Sequence, residues 1–236
     1  MFGKIKKFIY NEDKKIEKLK QNLRKNGAHI GENVRIFDFK NTVIDVQNPH
    51  MLSIGNNVYI TTGVKILTHD YSWVVLAGIY GEVLGGVGKT VIGNNVFIGV
   101  NTVILKNTTI GDNVIIGAGS VVSGKIESNS VYAGNPARKI MTIEEFYKKK
   151  KENSKKDAKN IYDNYVRVNN HIPERSKFIE YISLYIRNTD ALNTEEKQLI
   201  ERTEHKEIIY KNLDNQINEQ INFDIFVENF KTIKGE

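Results

Sequence analysis

Histidine is the residue type in this chain that is best suited to moving a proton at neutral pH. The 236 residues contain no cysteine and five histidines, which are His29, His50, His69, His171 and His205. The composition excludes a thiol nucleophile, a disulfide and a zinc–thiolate site, whereas an imidazole can accept a proton near pH 7. His69 differs from the other four because a regular sequence pattern stops there. From residue type alone, it is either a general base or an ordinary packing residue.

The segment after His69 holds further side chains that could contact a substrate. Asp70 and Tyr71 follow directly, and Trp73 and Glu82 lie further on. The aromatic rings either stack on a sugar ring or cover an apolar end of the fold. Asp70 cannot easily orient the imidazole, because adjacent side chains of an extended chain point apart. A Glu or a backbone carbonyl from elsewhere is the more reasonable partner, and Glu82 is one candidate.

A period of six residues organises the chain on both sides of His69. Six matches neither the 3.6-residue period of a helix nor the two-residue period of a long strand. It fits a prism with short strands as its sides, one inward aliphatic residue per side, and Gly-Asn or Gly-Asp pairs at the corners. The in-phase aliphatic residues are Ile30, Ile36, Ile54, Ile60 and Ile66, then Ile92, Ile98, Ile104, Ile110, Ile116 and Val122.

The two runs of the repeat are out of register with each other. Ile66 and Ile92 are 26 residues apart, which is two more than a multiple of six. We therefore predict an insertion at residues 70–88 that interrupts one coil. Irregular insertions in repeat proteins often form the binding face, and the aromatic residues predict an ordered flap.

This pattern resembles the hexapeptide repeat of the left-handed parallel β-helix over roughly residues 28–135. In that fold three hexapeptides make one triangular coil, and coils stack at about 4.8 Å. An ordinary β-sandwich with glycine-rich turns does not explain eleven aliphatic residues in fixed phase. We expect a mainly β fold, a left-handed parallel β-helix with a short N-terminal helix and a helical C-terminal extension.

Two motifs near the end of the repeat resemble those of the acetyl-CoA-dependent hexapeptide-repeat acyltransferases. They are Gly117-Ala118-Gly119-Ser120-Val121-Val122 and Ala133-Gly134-Asn135-Pro136-Ala137-Arg138-Lys139-Ile140. In galactoside and maltose acetyltransferases the backbone near the matching Ala contacts the pantetheine arm, and a hydroxyl, a Lys and an Arg contact the phosphates. The resemblance implies acetyl-CoA contacts at Gly99, Val100, Gly117, Ala118, Ser123, Lys125, Arg138 and Lys139.

The match to the cofactor motifs is incomplete in two places. Gly124 stands where the family has its Lys, so Lys125 is displaced by one position. Met141 stands where the family has a second basic residue after the Arg, and Lys139 is a substitute for it only by proximity.

The segment Leu67-Thr68-His69-Asp70-Tyr71 is similar to one in sugar and polysaccharide O-acetyltransferases. The resemblance implies that His69 is the general base, which removes a proton from a hydroxyl as it attacks the acetyl thioester. Asp70, Tyr71, Trp73 and Glu82 would then face the acceptor. We expect O-acetylation of a saccharide for capsule, lipopolysaccharide or another glycan, without a metal, by a homotrimer with sites between subunits.

Other functions stay open at this point. One is N-acetylation of a nucleotide-linked amino sugar, and another is a non-catalytic β-helix scaffold. A zinc hydratase of the γ-carbonic-anhydrase type shares the fold, but it needs three His ligands with two of them close in sequence. His29, His50 and His69 are about 20 residues apart, which argues against it.

The remaining parts of the chain are predicted to be helical. Residues 1–27 form an amphipathic helix that caps the open first coil or, less favourably, lies on an anionic membrane. Residues 28–141 form the β-helix domain, and residues 142–236 form a helical extension. There Thr142 and Glu145 make a capping box, and Pro173-Glu174 and Thr194-Glu195-Glu196 mark further helix starts. The apolar residues at helical spacing are Phe2, Ile5, Phe8, Ile9, Ile16, Leu19 and Leu23, then Phe178, Ile179, Ile182, Tyr185 and Ile186, and finally Ile217, Ile221, Ile225 and Phe226.

The charge of the chain is concentrated at its beginning. Residues 1–25 hold nine Lys or Arg and three Asp or Glu, which accounts for the formal net charge of +6. This is not the basic surface interleaved with aromatics that predicts nucleic-acid binding. No stretch approaches the roughly 18–20 apolar residues of a membrane span, and the N-terminus lacks a signal-peptide run. These features predict a cytoplasmic protein.

Overall fold

Strands of only two to five residues alternate with turns from His29 to Thr142. The computed structural model describes residues 2–215 and 222–231, with side chains from residue 13 onward. In chain order the strands are β1 (His29–Ile30), β2 (Arg35–Ile36), β3 (Val43–Ile44), β4 (Leu52–Ile54), β5 (Val58–Ile60), β6 (Lys65–Ile66), β7 (Thr90–Ile92), β8 (Val96–Ile98), β9 (Val103–Ile104), β10 (Thr109–Ile110), β11 (Val114–Ile116), β12 (Val121–Val122), β13 (Lys125–Ile126), β14 (Ser130–Ala133) and β15 (Arg138–Thr142).

Consecutive strands enter three different sheets in turn. Sheet A has the order β1-β4-β7-β10-β13, sheet B the order β15-β14-β11-β8-β5-β2, and sheet C the order β12-β9-β6-β3. The pairs are parallel, except that β15 is antiparallel to β14. Short parallel strands that return to the same sheet every third step form a repeat-built fold. The prediction of mainly parallel β-structure, flanked by helices, is confirmed.

The in-phase aliphatic side chains form the interior of this repeat. Ile54, Ile60, Ile66, Ile98 and Ile104 are fully buried, and every other in-phase position of both runs is buried as well. Each such side chain contributes about 1.5–3 kcal/mol relative to an exposed one. The six-residue period in the sequence is therefore the spacing of the buried side chains in the structure.

Glycine and asparagine make the turns between sheets A and B. A Cβ on Gly55 would lie 2.7 Å from the carbonyl oxygen of Gly93, so only glycine lets these two turns stack. Two residues on, Asn57 has a φ of 55°, a left-handed conformation that Asn adopts more readily than most residues. The turns thus stack because of both residue types, as the Gly-Asn pairs predict.

Six α-helices are present among the described residues. Helix α1 packs Ile16, Leu19 and Leu23 onto the core of the repeat. The guanidinium of Arg24 donates to the carbonyls of Ile30 and Gly31, which belong to the first coil. The predicted apolar residues Phe2, Ile5, Phe8 and Ile9 (side chains), and Ile217 and Ile221, lie outside the described residues. The helices are α1 (Phe2–Lys25), α2 (Trp73–Tyr80), α3 (Ile143–Asn169), α4 (Thr194–Glu201), α5 (Lys206–Asp214) and α6 (Phe223–Lys231).

The chain divides into two compact units, Met1–Phe146 and Tyr147–Glu236. The predicted capping box at the start of α3 is present, since Thr142 and Glu145 bond each other's backbone amides. The helix predicted after Pro173 is instead a run of 3₁₀ turns, Arg175–Leu184, because the backbone of Phe178 departs from helical geometry. Its ring is fully buried against Phe226, so tertiary packing overrides the helical spacing.

The second unit contains a buried carboxylate, that of Glu196, which is hydrogen-bonded at both oxygens. Glu196 accepts from the guanidinium of Arg175 at 2.6 and 2.7 Å and from the hydroxyl of Tyr185 at 2.8 Å. Burial raises the pKa of Glu196, but the bonds from Arg175, Asn193 and Tyr185 outweigh it and hold the pKa below its ordinary value. Glu196 is therefore ionised at neutral pH and paired.

Replacing this carboxylate should destabilise the second unit in a pH-dependent way. Glu196→Gln is expected to lower the free energy of unfolding by about 2–3 kcal/mol at pH 7, because charged hydrogen bonds are lost. A carboxyl group whose pKa is lowered by folding stabilises the folded state at pH values above its unfolded-state pKa. This stabilisation is lost as the pH falls through the folded-state pKa. The difference should therefore shrink towards pH 3. Urea denaturation measures it, and Glu201→Gln, in an exposed pair with Lys206, is the control. Equal effects of both substitutions would contradict the assignment.

Candidate functional site

His69 lies in the turn that joins sheet C to sheet A. One coil earlier the same turn begins with Asp45, the first residue after β3. Ile44 pairs with Ile66, and the amide of Asp45 donates to the carbonyl of Ile66 at 3.0 Å, so the two turns are in register. The repeat thereby brings together two side chains that are 24 residues apart.

The carboxylate of Asp45 is bonded at both oxygens. Oδ2 accepts from the amide of Thr68 at 3.0 Å and from its hydroxyl at 2.5 Å, and it also bonds Nδ1 of His69. Oδ1 accepts from the amide of Gln47 at 2.9 Å. The side chain of Asp45 is 4% exposed and that of His69 is 20% exposed. The carboxylate is therefore fixed, and the imidazole that it holds can still be reached from solvent.

Ionisation of Asp45 determines the tautomer of His69. Burial raises the pKa of Asp45, but hydrogen bonds from Thr68, Gln47 and His69 outweigh it and hold the pKa below its ordinary value. An ionised carboxylate can only accept hydrogen bonds, so Nδ1 of His69 carries a hydrogen, and in the neutral ring Nε2 has the lone pair. An imidazole in this state can accept a proton at Nε2.

Asp45 corrects the sequence-based expectation for the orienting group. That expectation was a Glu or a backbone carbonyl, with Glu82 as a candidate, and it is wrong because Nδ1 of His69 bonds Asp45. Glu82 is exposed beyond the end of α2. The available signal lies between Ile36 and Ile54, where the in-phase positions hold Thr42 and Asn48 and the inward aliphatic residue is instead Ile44, directly before Asp45.

The segment after His69 leaves the coil and returns to it through a short antiparallel bridge. His69 pairs with Val87 in this bridge. The amide of Asp70 donates to the carbonyl of Gly86 at 2.9 Å, and the amide of Gly88 donates to Thr68 at 2.8 Å. The insertion is thus closed at its base, next to the imidazole.

Helix α2 forms most of the rest of the insertion. Trp73 is half-buried, but the other large side chains are exposed, with Val74, Val75, Ile79 and Tyr80 each 60–70% accessible. The sequence did not predict this helix, because it is short and apolar on all sides and so has no amphipathic period. The insertion presents an apolar surface beside the site.

Two predicted acceptor residues form a wall beside the imidazole. The ring of Tyr71 meets the ring of His69 edge-on at 5.3 Å, and the ring of Trp73 lies 6.3 Å from that of Tyr71. Gln47 donates from Nε2 to the hydroxyl of Tyr71 at 3.2 Å. Because the amide of Gln47 also bonds Asp45, one turn positions both the carboxylate and the aromatic ring.

Four predicted cofactor residues lie in a different turn, the one that joins sheet B to sheet C. Gly99 and Val100 follow β8, and Gly117 and Ala118 follow β11. A Cβ on Gly99 would lie 2.5 Å from the amide nitrogen of Ala118, which explains the requirement for glycine there. Val100 and Ala118 are exposed, so a ligand could approach the backbone at this turn.

The other four predicted cofactor residues lie towards the end of the repeat. Ser123 is in the same type of turn as His69, two coils further along, and Lys125 is exposed on β13. The guanidinium of Arg138 is exposed and donates to the carbonyl of Ala137 at 3.2 Å. The ammonium of Lys139 bonds Glu127 at 2.6 Å, which raises the pKa of Lys139, so its charge is already balanced.

Two further properties concern the described residues as a set. None of their His, Asp and Glu side chains gather into a group of three or more that could bind a metal ion. None of their helices combines the length and apolar character of a membrane span.

Comparison with known proteins places this geometry in a family. The family model described as "Bacterial transferase hexapeptide (six repeats)" matches residues 89–124. Protein CapG of Staphylococcus aureus is 38% identical over 154 residues, which are 65% of this chain and 84% of that protein. The candidate acetyltransferase YvoF of Bacillus subtilis (strain 168) is 34% identical over 110 residues, 47% of this chain and 59% of that protein.

Comparison with solved structures gives partial matches. The maltose O-acetyltransferase from Clostridium difficile 630 is 29% identical, with a TM-score of 0.42 over 53% of this chain and 75% of that one. The resemblance inferred from the residues is confirmed by the family model and the relatives. The chain belongs to the hexapeptide-repeat acetyltransferases, the family that includes the sugar and polysaccharide O-acetyltransferases.

Proposed function

We propose that the chain transfers an acetyl group from acetyl-CoA to a hydroxyl of a saccharide, with His69 as the general base. The observation that carries this proposal is the buried, ionised Asp45, which holds a partly exposed imidazole at the mouth of the insertion. Asp45 is itself fixed by Thr68 and Gln47, so it holds the imidazole in one orientation, as a general base requires. We also infer that the coils wind in the left-handed sense, because six-residue steps through three sheets are typical of that solenoid.

The proton chemistry follows from the tautomer of His69. Nε2 takes the proton of the acceptor hydroxyl while the oxygen forms its bond to the thioester carbon. The carbon–sulfur bond breaks, and the departing thiolate takes the proton back from the imidazolium. Asp45 stabilises the imidazolium between these two steps and keeps the ring in place. The base ends in its starting state.

Direct transfer is the route that the composition supports. The chain has no Cys that could carry the acetyl group. The acetyl donor and the acceptor are therefore bound at the same time, and the rate of transfer is increased because both are held beside the same imidazole. The geometry of the base matters more than the strength of any nucleophile on the protein.

Two different turns contribute to the proposed site. His69 lies between sheets C and A, whereas Gly99 and Ala118 lie between sheets B and C. Within one chain, the two turns lie at opposite ends of the strands of sheet C. We therefore propose a homotrimer in which the His69 turn of one copy faces the Ala118 turn of its neighbour, with the donor bound between them.

The donor contacts follow the exposed backbone and the cationic end of the repeat. The glycines at positions 99 and 117 let an extended thioester arm approach the backbone amides. Ser123 lies two strand spacings from the His69 coil, about 10 Å. Arg138 offers a planar fork for a phosphate, and Lys125 is a further exposed cation towards the end of the repeat. We assign Lys139 a lesser role because Glu127 already pairs with it.

The acceptor contacts are proposed for the aromatic wall. The ring of Tyr71 is 58% exposed and stands edge-on to the imidazole, and Trp73 continues the wall. Flat aromatic faces suit the apolar faces of sugar rings. A glycan or a glycan precursor, such as one for capsule or lipopolysaccharide, fits this surface.

Loss of the base tests the function itself. Acetyl-thioester consumption should be screened across glycans, nucleotide sugars and amino sugars with the wild type, His69→Ala and the control His50→Ala. We expect transfer to a saccharide hydroxyl, a fall of at least about 10²-fold in His69→Ala, and no large change in the control. More than about a third of the wild-type kcat in His69→Ala would remove His69 from this role. Transfer to amines alone would indicate an N-acetyltransferase, and failure to bind CoA would indicate a scaffold.

Removal of the orienting charge should reduce turnover without affecting donor binding. Asp45→Asn is expected to lower kcat about 10–100-fold, because the ring loses the group that fixes its tautomer. The KM for acetyl-CoA should stay within about twofold, since the carboxylate of Asp45 is buried and does not contact the donor. Asp38→Asn removes a carboxylate that bonds only its own turn and serves as the matched control. Steady-state kinetics with equal kcat in both variants would contradict the role of Asp45.

Arg138 should act on donor binding instead. Arg138→Ala is expected to raise the KM for acetyl-CoA about tenfold with less than about a threefold change in kcat, the pattern of lost uniform binding. Lys139→Ala should change this KM much less, because Glu127 balances that charge. Kinetics with dephospho-CoA thioesters show whether the contact is to the 3′-phosphate. An unchanged KM in Arg138→Ala would mean that the exit motif is only structural.

A further inference from the structure

The side chain of Asp70 is engaged by the protein itself. Oδ1 accepts from the amide of Ser72 at 3.0 Å and from its hydroxyl at 2.6 Å. Oδ2 pairs with the ammonium of Lys106 at 2.7 Å. The bond from Lys106, with those from Ser72, holds the pKa of Asp70 well below its usual range. Both oxygens of this carboxylate already have partners, although the sequence suggested a role in acceptor binding.

Lys106 belongs to the coil that follows the insertion. It comes two residues after β9, whose Ile104 pairs with Ile66, and the amide of Leu67 donates to the carbonyl of Ile104 at 3.0 Å. Lys106 therefore lies in the turn stacked on the one that contains His69. The ion pair joins the insertion to the next coil of the repeat.

The contacts of Asp70 reach both ends of the insertion. Its carboxylate holds Ser72, which directly precedes α2, on the outgoing side. Its amide donates to Gly86 on the returning side, and a Cβ on Gly86 would lie only 2.7 Å from the carbonyl oxygen of Asp70. One residue thus fixes where the chain leaves the coil and where it returns.

His69 is held from both sides as a consequence. On one side the amide and the hydroxyl of Thr68 donate hydrogen bonds to Asp45. On the other side Asp70 is tied to Lys106. Asp45 fixes the ring, whereas the contacts of Asp70 fix the backbone that follows it and the origin of the aromatic wall.

We propose that Asp70 and Lys106 form an ionic clamp that positions the insertion relative to His69, and that both are positioning residues for the reaction. Only the expected effect of the clamp on kinetics rests on the proposed acetyl transfer. Its structural consequence, closure of the insertion base, is independent of any activity. Neither side chain needs to contact substrate, because the clamp acts through the backbone on either side of the imidazole.

Amide hydrogen exchange tests the clamp without activity. In Lys106→Met the amides of Asp70 and Gly88 should exchange at least about tenfold faster, because the bridge that protects them opens more often. Lys89→Met, at an exposed lysine just after the insertion, is the matched control and should leave both amides unchanged. Lys106→Arg should restore protection. Equal exchange in Lys106→Met and the wild type would overturn the clamp.

Kinetics separate positioning from substrate contact. Lys106→Met and Asp70→Asn should each lower kcat about tenfold and raise the acceptor KM, with the acetyl-CoA KM within about twofold, because misplacement of a base is costly to the rate. The double variant should be no worse than the poorer single one, since the two residues act as a unit. Additive losses, or a raised acetyl-CoA KM in Lys106→Met alone, would overturn the proposal in favour of separate substrate contacts.

Failure of the clamp and failure of the proposed function are distinguishable. A wild-type protein that transfers no acetyl group would refute the function and leave the exchange result valid as a test of the clamp. A wild type that is active while Lys106→Met retains full kcat and full protection would refute the clamp alone.

Discussion

The hydrogen bond between Asp45 and His69 is the interaction on which the proposed site depends, and it exists because two turns of the repeat stack in register. Ile44 pairs with Ile66, so the residues that follow them meet at the same turn. The buried aliphatic column sets this register, since a one-residue slip would turn every inward side chain outward. The core of the repeat therefore fixes the position of the His69 imidazole relative to Asp45.

The same register arranges the rest of the surroundings. Gln47 connects the carboxylate to Tyr71, and Lys106 of the next coil holds Asp70, so three successive turns contribute contacts to the surroundings of His69. The repeat supplies rigid positions, and the insertion supplies an apolar, aromatic surface directly beside His69. A rigid frame with one irregular segment is a suitable arrangement for the proposed base, which must be held still beside its acceptor.

The sequence predicts the regular parts well because each hexapeptide buries its own aliphatic residue. The in-phase isoleucines, the insertion after His69 and the capping box of Thr142 are all visible as local patterns. Asp45 was missed because its pairing with His69 depends on a coil length of 22 residues at that point, where the period is broken. Helix α2 and the 3₁₀ run at Phe178 were missed because neither follows an amphipathic period. Lys106 gave no signal, since its partner is set by the stacking of turns.

The protonation state of the His69 ring tests the account most directly. With ¹⁵N-labelled histidine, and with the His69 signals assigned by their loss in His69→Asn, the neutral ring should show a protonated Nδ1 bonded to Asp45 and an unprotonated Nε2. Asp45→Asn should change this tautomer or broaden it into a mixture, while the other described histidines stay unchanged. A wild-type ring protonated at Nε2, with Nδ1 free, would contradict the claim that Asp45 prepares His69 to accept a proton.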